Sequence, residues 1–255
     1  SLINFLYPLL VIIIFLRVFF NKENKKRYKE KLFSSSFNVK RNLKKKLIWI
    51  HVASIGEFNS IIPIIQKLDK KNIYQFLITS VTLSSSNLIS KKLLKNKNIF
   101  HRFFPVDKLS LVTKFLDSWS PNLIFFVDSE IWPNFLLEIK KRKIALILLN
   151  GRITKKTFNK WMIVKSFANK IFNTFNLCLV SNNESKNHLK KLNAQNIKFF
   201  GNLKFASSID LKSVNDKNHY FLKNNDFWCA ASTHEGEEIF CLKTHIALKK
   251  KLKNI

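Results

Sequence analysis

Several residues able to do acid–base or electrostatic chemistry stand directly after apolar runs. Glu57 follows Leu47–Val52, and Asp128 and Glu130 follow Leu123–Val127. Asn150 and Arg152 come after Ile144–Leu149, and Lys204 after Ile197–Phe200. A carboxylate so placed can take a proton from a hydroxyl. A gathering of carboxylates with an Arg and a Lys suits a polar, anionic substrate. The same residues have structural explanations. Glu57 is favoured near a helix N-terminus, and Asp128 and Glu130 can cap the helix that Pro133 opens. Other chemistries find no support. His234-Glu235 is not followed by the second His of HExxH, because position 238 is Glu. There is no GxSxG, no GxGxxG and no GxxxxGK[ST]. Cys178, Cys229 and Cys241 lack metal spacing and imply neither a zinc site nor a disulfide framework.

The elements that must position these residues alternate. Strands are expected over Leu47–Val52, Tyr74–Thr79, Ile99–Phe104, Leu123–Val127, Ile144–Leu149, Leu177–Val180 and Ile197–Phe200. Between them lie helical patterns at Glu57–Leu68, Ser84–Leu94, Leu109–Trp119, Trp132–Lys141, Phe158–Phe172 and Asn183–Leu192. Apolar strands alternating with helices predict an α/β fold with a parallel sheet covered on both faces. Ligands of such sheets bind outside the carboxyl ends of the strands, where the residues above fall. Within the first unit, Ser54 and Gly56 form the turn that leads into Glu57. Near Asp226 the pattern restarts: Phe227–Ala231 reads as a short strand, and Ser232-Thr233-His234-Glu235 leads into a helix.

Charge and hydropathy organise the N-terminus. The formal net charge of +29 implies an anionic partner. The many Phe fall mostly on apolar faces and read as core, which argues against nucleic acid. Leu2–Phe20 is almost wholly apolar, broken by Asn4 and Arg17, and a Lys/Arg-rich stretch follows. It lacks the leading positive charge and cleavage site of a signal peptide. The reading is a membrane anchor, spanning or lying in the interface, with Arg17 reaching the headgroups and the basic stretch on the cytoplasmic side. A buried core helix is the alternative. The domain plan is therefore an anchor (1–20), a basic juxtamembrane segment (21–46), a first α/β domain (47–206), a linker (207–225) and the beginning of a second domain (226–255). The start at Ser1 and the end inside a Lys-rich helical pattern mark the sequence as a fragment.

In order along the chain, a set of motifs resembles the bacterial 3-deoxy-D-manno-octulosonic acid (Kdo) transferase family. These are Arg27-Tyr28-Lys29-Glu30-Lys31, His51-Val52-Ala53-Ser54-Ile55-Gly56-Glu57, Asp128-Ser129-Glu130-Ile131-Trp132-Pro133-Asn134, Asn150-Gly151-Arg152-Ile153-Thr154, Gly201-Asn202-Leu203-Lys204-Phe205 and Ala231-Ser232-Thr233-His234-Glu235-Gly236-Glu237-Glu238. The resemblance implies a GT-B glycosyltransferase of the inner membrane, its catalytic part cytoplasmic. An N-terminal Rossmann-like domain would take a lipid A precursor and a second Rossmann-like domain CMP-Kdo. Transfer would invert the anomeric carbon and need no metal or cofactor. Glu57 would be the general base, with Asp128 and Lys204 stabilising the transition state. Ser54, Gly56, Glu130, Asn150, Arg152, Ser232, Thr233, His234 and Glu235 would have supporting roles. Expected partners are CMP-Kdo, the lipid acceptor and an anionic membrane surface, with no nucleic acid. Asp128 stands where the family has Glu, Ala206 where it usually has Asp, and Val81–Ser86 follows its pattern loosely. The family's nucleotide-binding motifs lie beyond residue 255, so the fragment alone is expected to be inactive. The alternatives are another GT-B enzyme, such as a lipid-linked disaccharide synthase, or a basic binding module for membrane or nucleic acid.

Overall fold

The computed structural model describes residues 2–37, 41–93, 95–206, 223 and 226–252, with backbone alone for 2–5. The chain forms two compact units, Ser1–Ser207 and Ser208–Ile255.

The first unit is built on seven strands: β1 (Lys46–Val52), β2 (Tyr74–Ser80), β3 (Ile99–Phe103), β4 (Leu123–Val127), β5 (Ala145–Gly151), β6 (Leu177–Val180) and β7 (Ile197–Phe199). All pair in parallel, in the order β3-β2-β1-β4-β5-β6-β7. This is the doubly wound arrangement, with its switch point between β1 and β4. Side-chain alternation splits β1 between two core layers. Leu47 and Trp49 enter one, with Phe115, Phe135 and Phe172; Ile48, Ile50 and Val52 enter the other, with Phe58, Ile61 and Ile65.

Helices cover both faces. α3 (Ile55–Asp69) and α4 (Leu83–Leu93) pack on the second layer, while α5 (Leu109–Trp119), α6 (Pro133–Lys141), α8 (Lys165–Phe172) and α9 (Asn183–Lys191) pack on the first. The expected Phe158–Phe172 helix is two, α7 (Lys155–Ile163) and α8. They break at Val164, where φ −115° and ψ 46° leave the helical region. The break lets α8 fully bury Ala168, Ile171 and Phe172, while α7 only partly buries Phe158, Trp161 and Met162. Leu94, placed in α4 by the sequence, lies outside the described residues.

The N-terminal segment departs from expectation. Helix α1 (Leu2–Phe19) spans 18 residues, about 27 Å at 1.5 Å per residue. Among the described residues no helix is long and apolar enough to cross a membrane, so the spanning reading is not supported. Side chains along α1 hold it to the domain, and Lys108 Nζ lies 3.9 Å over the Tyr7 ring. Tyr7 Oη donates to the Leu32 carbonyl (2.6 Å), Phe15 meets Tyr28 edge-on, and Arg17 pairs with Glu23 (3.0 Å) rather than extending to headgroups. Nor is α1 a buried core helix: Leu9, Ile12, Leu16 and Phe19 are exposed.

Part of the basic segment is folded in. Short α2 (Lys29–Leu32) brings Lys31 against Glu23 (2.7 Å) and the Val81 carbonyl (2.9 Å). Arg27 meets Glu30 through two nitrogens (2.7 and 2.9 Å). Glu30 in turn accepts the Phe103 amide (2.8 Å), so the segment tethers to the end of β3.

In the second unit Phe227–Ala231 is not a strand, correcting the sequence reading: a strand needs a paired neighbour, and none of the described residues pairs with it. The helix that follows is α10 (Glu237–Lys249). Most of the proposed linker, residues 207–222 and 224–225, lies outside the described residues.

Candidate active site

β1 and β4 are neighbours, yet their following helices go to opposite faces, α3 to one core layer and α6 to the other. A crevice therefore opens between the two strand ends. Glu57 enters it from β1, and Asp128 and Glu130 from β4.

Glu57 lies in the first turn of α3. Ser54 Oγ accepts the Glu57 amide (3.2 Å) and donates to Glu57 Oε1 (2.9 Å), while the Ala53 amide donates to Oε2 (2.8 Å). This is a variant of the capping box, with the returned bond made to the amide before the cap, so the structural explanation of Glu57 is realised. It does not exhaust the carboxylate, whose two oxygens offer about four lone-pair sites. Glu57 is only 8% exposed. Burial pushes its carboxyl above the ordinary value, the two cap bonds pull it down, and the charges of Glu130 and Asp128 push it up again. The net rise makes it a stronger proton acceptor.

Asp128 adopts φ +64° and Asn150, at the end of neighbouring β5, φ +56°. Asp and Asn tolerate this left-handed region better than most residues. The turn at Asp128 is closed by its amide to the Leu149 carbonyl (2.9 Å) and by the Arg152 amide to its own carbonyl (3.3 Å). At Asn150 the β5–β6 register shifts. The Asn150 side-chain oxygen accepts the Leu203 amide (2.9 Å), and that of Asn202 accepts the Lys204 amide (3.0 Å). These two amides fix the 3-10 turn Leu203–Ala206 over the strand ends. Lys204 Nζ then sits 3.8 Å from Asp128 Oδ2. Burial raises the Asp128 carboxyl, Lys204 and Arg152 lower it, and the balance stays above the ordinary value. The lysine passes close over Gly56: a Cβ there would lie 3.6 Å from Lys204 Cε and 3.8 Å from Nζ, in ordinary contact. A cavity of about 400 Å³ opens beside the pair, lined by Asp128, Asn150, Arg152, Ser181, Asn182 and Lys204, among others.

Glu130 is held differently. Its Oε2 accepts from Trp132 Nε1 (2.8 Å) and lies 3.1 Å from His51 Nε2. Burial raises its carboxyl, but these hydrogen bonds and the electrostatic pull of the His51 ring outweigh it and bring it below the ordinary value. His51 escapes a reading of the sequence as a site residue, because its partners Thr79 and Glu130 are 28 and 79 positions away. Its local signals are its place at the head of the His51–Glu57 motif and its polarity, next to last in a strand that is apolar and buried after Lys46.

The fold thus brings together Ser54, Gly56, Glu57, Asp128, Glu130, Asn150, Arg152 and Lys204. Ser232, Thr233, His234 and Glu235 belong to the second compact unit, where the His234 amide donates to Glu237 at the start of α10 (2.8 Å). Among the described residues no group of three or more His, Cys, Asp or Glu could hold a metal ion.

Comparison with known proteins bears on this arrangement. A UDP-N-acetylglucosamine 2-epimerase homologue from Listeria monocytogenes superposes with a TM-score of 0.51 at 10% identity, covering 71% of this chain and 52% of its own; the likeness is one of fold alone. The 3-deoxy-D-manno-octulosonic acid transferase of Rickettsia bellii is 32% identical over 97% of this chain and 58% of its own length. That of Haemophilus influenzae is 25% identical over 82% and 50%. The chain spans about half the length of the curated relatives it matches. Residues 26–207, which hold every strand found among the described residues and all eight gathered site residues, match the family model described as 3-Deoxy-D-manno-octulosonic-acid transferase (kdotransferase). The chain belongs to the 3-deoxy-D-manno-octulosonic acid transferase family.

Proposed function

We propose that the protein transfers Kdo from CMP-Kdo to a phosphorylated lipid A precursor of the lipid IVA type. Residues 47–206 serve as the acceptor domain and residues 226–255 begin the donor domain. The observation that carries this reading is the placement of Glu57 at the β1–β4 switch point, buried and made more basic, with Asp128, Arg152 and Lys204 beside an open cavity. Glu57 takes the proton from the acceptor sugar hydroxyl as that oxygen attacks the anomeric carbon of Kdo. The bond from that carbon to the CMP phosphate breaks on the opposite side, and configuration inverts. Lys204, steadied by Asp128, meets negative charge carried by the departing phosphate or the sugar acid. Arg152 lines the same cavity and assists. Ser54 holds Glu57 and Gly56 lies under Lys204, while Asn150 fixes the turn that carries the lysine. Ser232–Glu235 are assigned to the donor side.

The protein works at the cytoplasmic face of the inner membrane. The exposed apolar side of α1 supports this, as do Ile163, Val164 and Phe167, exposed at the α7–α8 break among Lys155, Lys156, Lys160 and Lys165.

The test is incubation of the full-length protein with CMP-Kdo and a tetra-acylated lipid A precursor, read by mass spectrometry. The expected result is addition of Kdo to the lipid, with Glu57→Gln slower by at least about a hundredfold. Release of Kdo without lipid product would sink the acceptor assignment. Near-normal turnover by Glu57→Gln would remove Glu57 as base.

A further inference from the structure

A chain of buried hydrogen bonds runs from β1 and β2 into the crevice. Trp49 Nε1 donates to Thr79 Oγ1 (2.9 Å). Thr79 Oγ1 lies 3.0 Å from His51 Nδ1, and His51 Nε2 lies 3.1 Å from Glu130 Oε2. Trp132 Nε1 donates to the same Glu130 oxygen (2.8 Å). An indole N–H only donates, so Thr79 Oγ1 accepts there. An ionised carboxylate only accepts, so the His51 ring proton facing Glu130 is on Nε2, and Nδ1 is left to the Thr79 hydroxyl. The imidazole is fully buried, stacked on Phe104 with ring centroids 3.9 Å apart and edge-on to Phe126. The parallel register sets His51 level with Thr79 on one side and Phe126 on the other. Apolar packing alone would be served by an aromatic residue, and a buried polar ring is costly unless its nitrogens are paired. Here both are paired, and the outer partner is a site carboxylate.

We propose that His51 is a positioning residue for the transfer reaction, fixing the Glu130 carboxylate at the edge of the crevice beside Glu57 through the Thr79–His51–Glu130–Trp132 chain. This rests on the assignment of Glu57 as base. Two buried N–H donors on one oxygen favour the ionised form of Glu130. A negative charge held in place there makes Glu57 a better proton acceptor, and it costs no reorganisation when the substrate arrives. The other charged group acting on Glu57 is Asp128 after β4, which itself faces Lys204 on the 3-10 turn and Arg152 after β5. His51 touches no reacting atom; it acts through Glu130.

The experiment compares the full-length protein with His51→Phe, His51→Gln, Thr79→Val and Glu130→Gln, measuring transfer from CMP-Kdo to the lipid acceptor across pH. His51→Phe should lower kcat by about 10- to 100-fold with little change in KM. Its acid limb should move to lower pH, because the negative charge beside Glu57 is less firmly held. Glu130→Gln should shift the limb the same way, and joining it to His51→Phe should add little. His51→Gln keeps an N–H donor for Glu130 and should recover much of the rate; Thr79→Val, which frees the inner ring nitrogen, should fall between. A purely structural His51 would lower activity in proportion to lost stability at every pH and leave the limb in place. That result, or an unchanged kcat and pH profile in His51→Phe, overturns the proposal. Should His51→Phe fail to fold, an unmoved limb in both Thr79→Val and Glu130→Gln overturns it equally. The two readings fail separately. An active Glu57→Gln with a slowed, limb-shifted His51→Phe removes the base assignment and supports His51 only as the group that fixes Glu130. An inactive Glu57→Gln with an unaltered His51→Phe does the reverse.

Discussion

Glu57 joins two roles in one side chain. It closes the capping box of α3, and it faces the crevice as a buried carboxyl pushed up by burial and by its acidic neighbours. A general base must be ionised, so activity is lost as pH falls through its raised value. The acid limb of kcat/KM should therefore lie above the ordinary carboxylate range, and a pH–rate profile of the full-length protein checks it. The linked stability has the opposite sense. A raised carboxyl binds its proton more tightly when folded, so this contribution is present below the ordinary value and lost as pH rises through the raised one. Glu57→Gln removes that loss, and Gln can satisfy a capping box. The variant should change unfolding free energy by no more than about 1 kcal/mol at pH 7, measured by denaturant titration. The local part of this site, Ser54-x-x-Glu57, could be read from four adjacent residues. Lys204 over Gly56 could not, because only the fold brings positions 148 apart into contact.

The elements owe their stability to ties that skip along the chain. α6 is capped from outside its own segment: Asp107 accepts the amides of Asn134 (3.0 Å) and Phe135 (2.9 Å). Burial pushes its carboxyl up to about 6, against the pull of those two amides. The folded state thus binds this proton more tightly than the unfolded chain, and stability falls as pH rises between about 4 and 6. Relative to Asp107→Asn, the wild type should lose on the order of 1–3 kcal/mol across that window, followed by urea unfolding at pH 4 and pH 7. Because α6 follows the turn that carries Asp128 and Glu130, this cap also steadies one wall of the crevice. Hydrophobic periodicity predicts α6, but nothing in it names Asp107 as its cap. Likewise, the helical pattern over 158–172 cannot reveal the break at Val164, which follows from which faces have a core to bury against.

At the scale of the molecule, strong positive charge coexists with an apolar helix held on the protein by Tyr7, Phe15 and Arg17. Attraction to anionic lipid should be screened by salt, whereas insertion of apolar side chains should not. In vesicle flotation the full-length protein should prefer anionic over zwitterionic vesicles at low salt and keep part of its binding at high salt. Replacing exposed Leu9, Ile12 and Phe19 together by Ser should remove the salt-resistant part, with little effect on folding because these side chains face outward. Equal flotation of the variant at high salt would assign membrane contact to other surfaces, the α7–α8 break first among them.

The amino-acid sequence by itself determined the alternation of strands and helices, the parallel sheet and the segments that end at its carboxyl edge, because these follow from local periodicity and from the cost of leaving apolar faces in water. It also displayed the ordered motifs of the family. Only the tertiary structure decided that β1 and β4 are neighbours across the switch point, that Lys204 crosses Gly56 to reach Asp128, and that His51 bridges Thr79 to Glu130. It also decided that α1 and Lys31 are tied to the domain. Each of these depends on strand order and on pairs far apart in the chain, and a repeating pattern along one dimension carries no record of which strand will lie beside which.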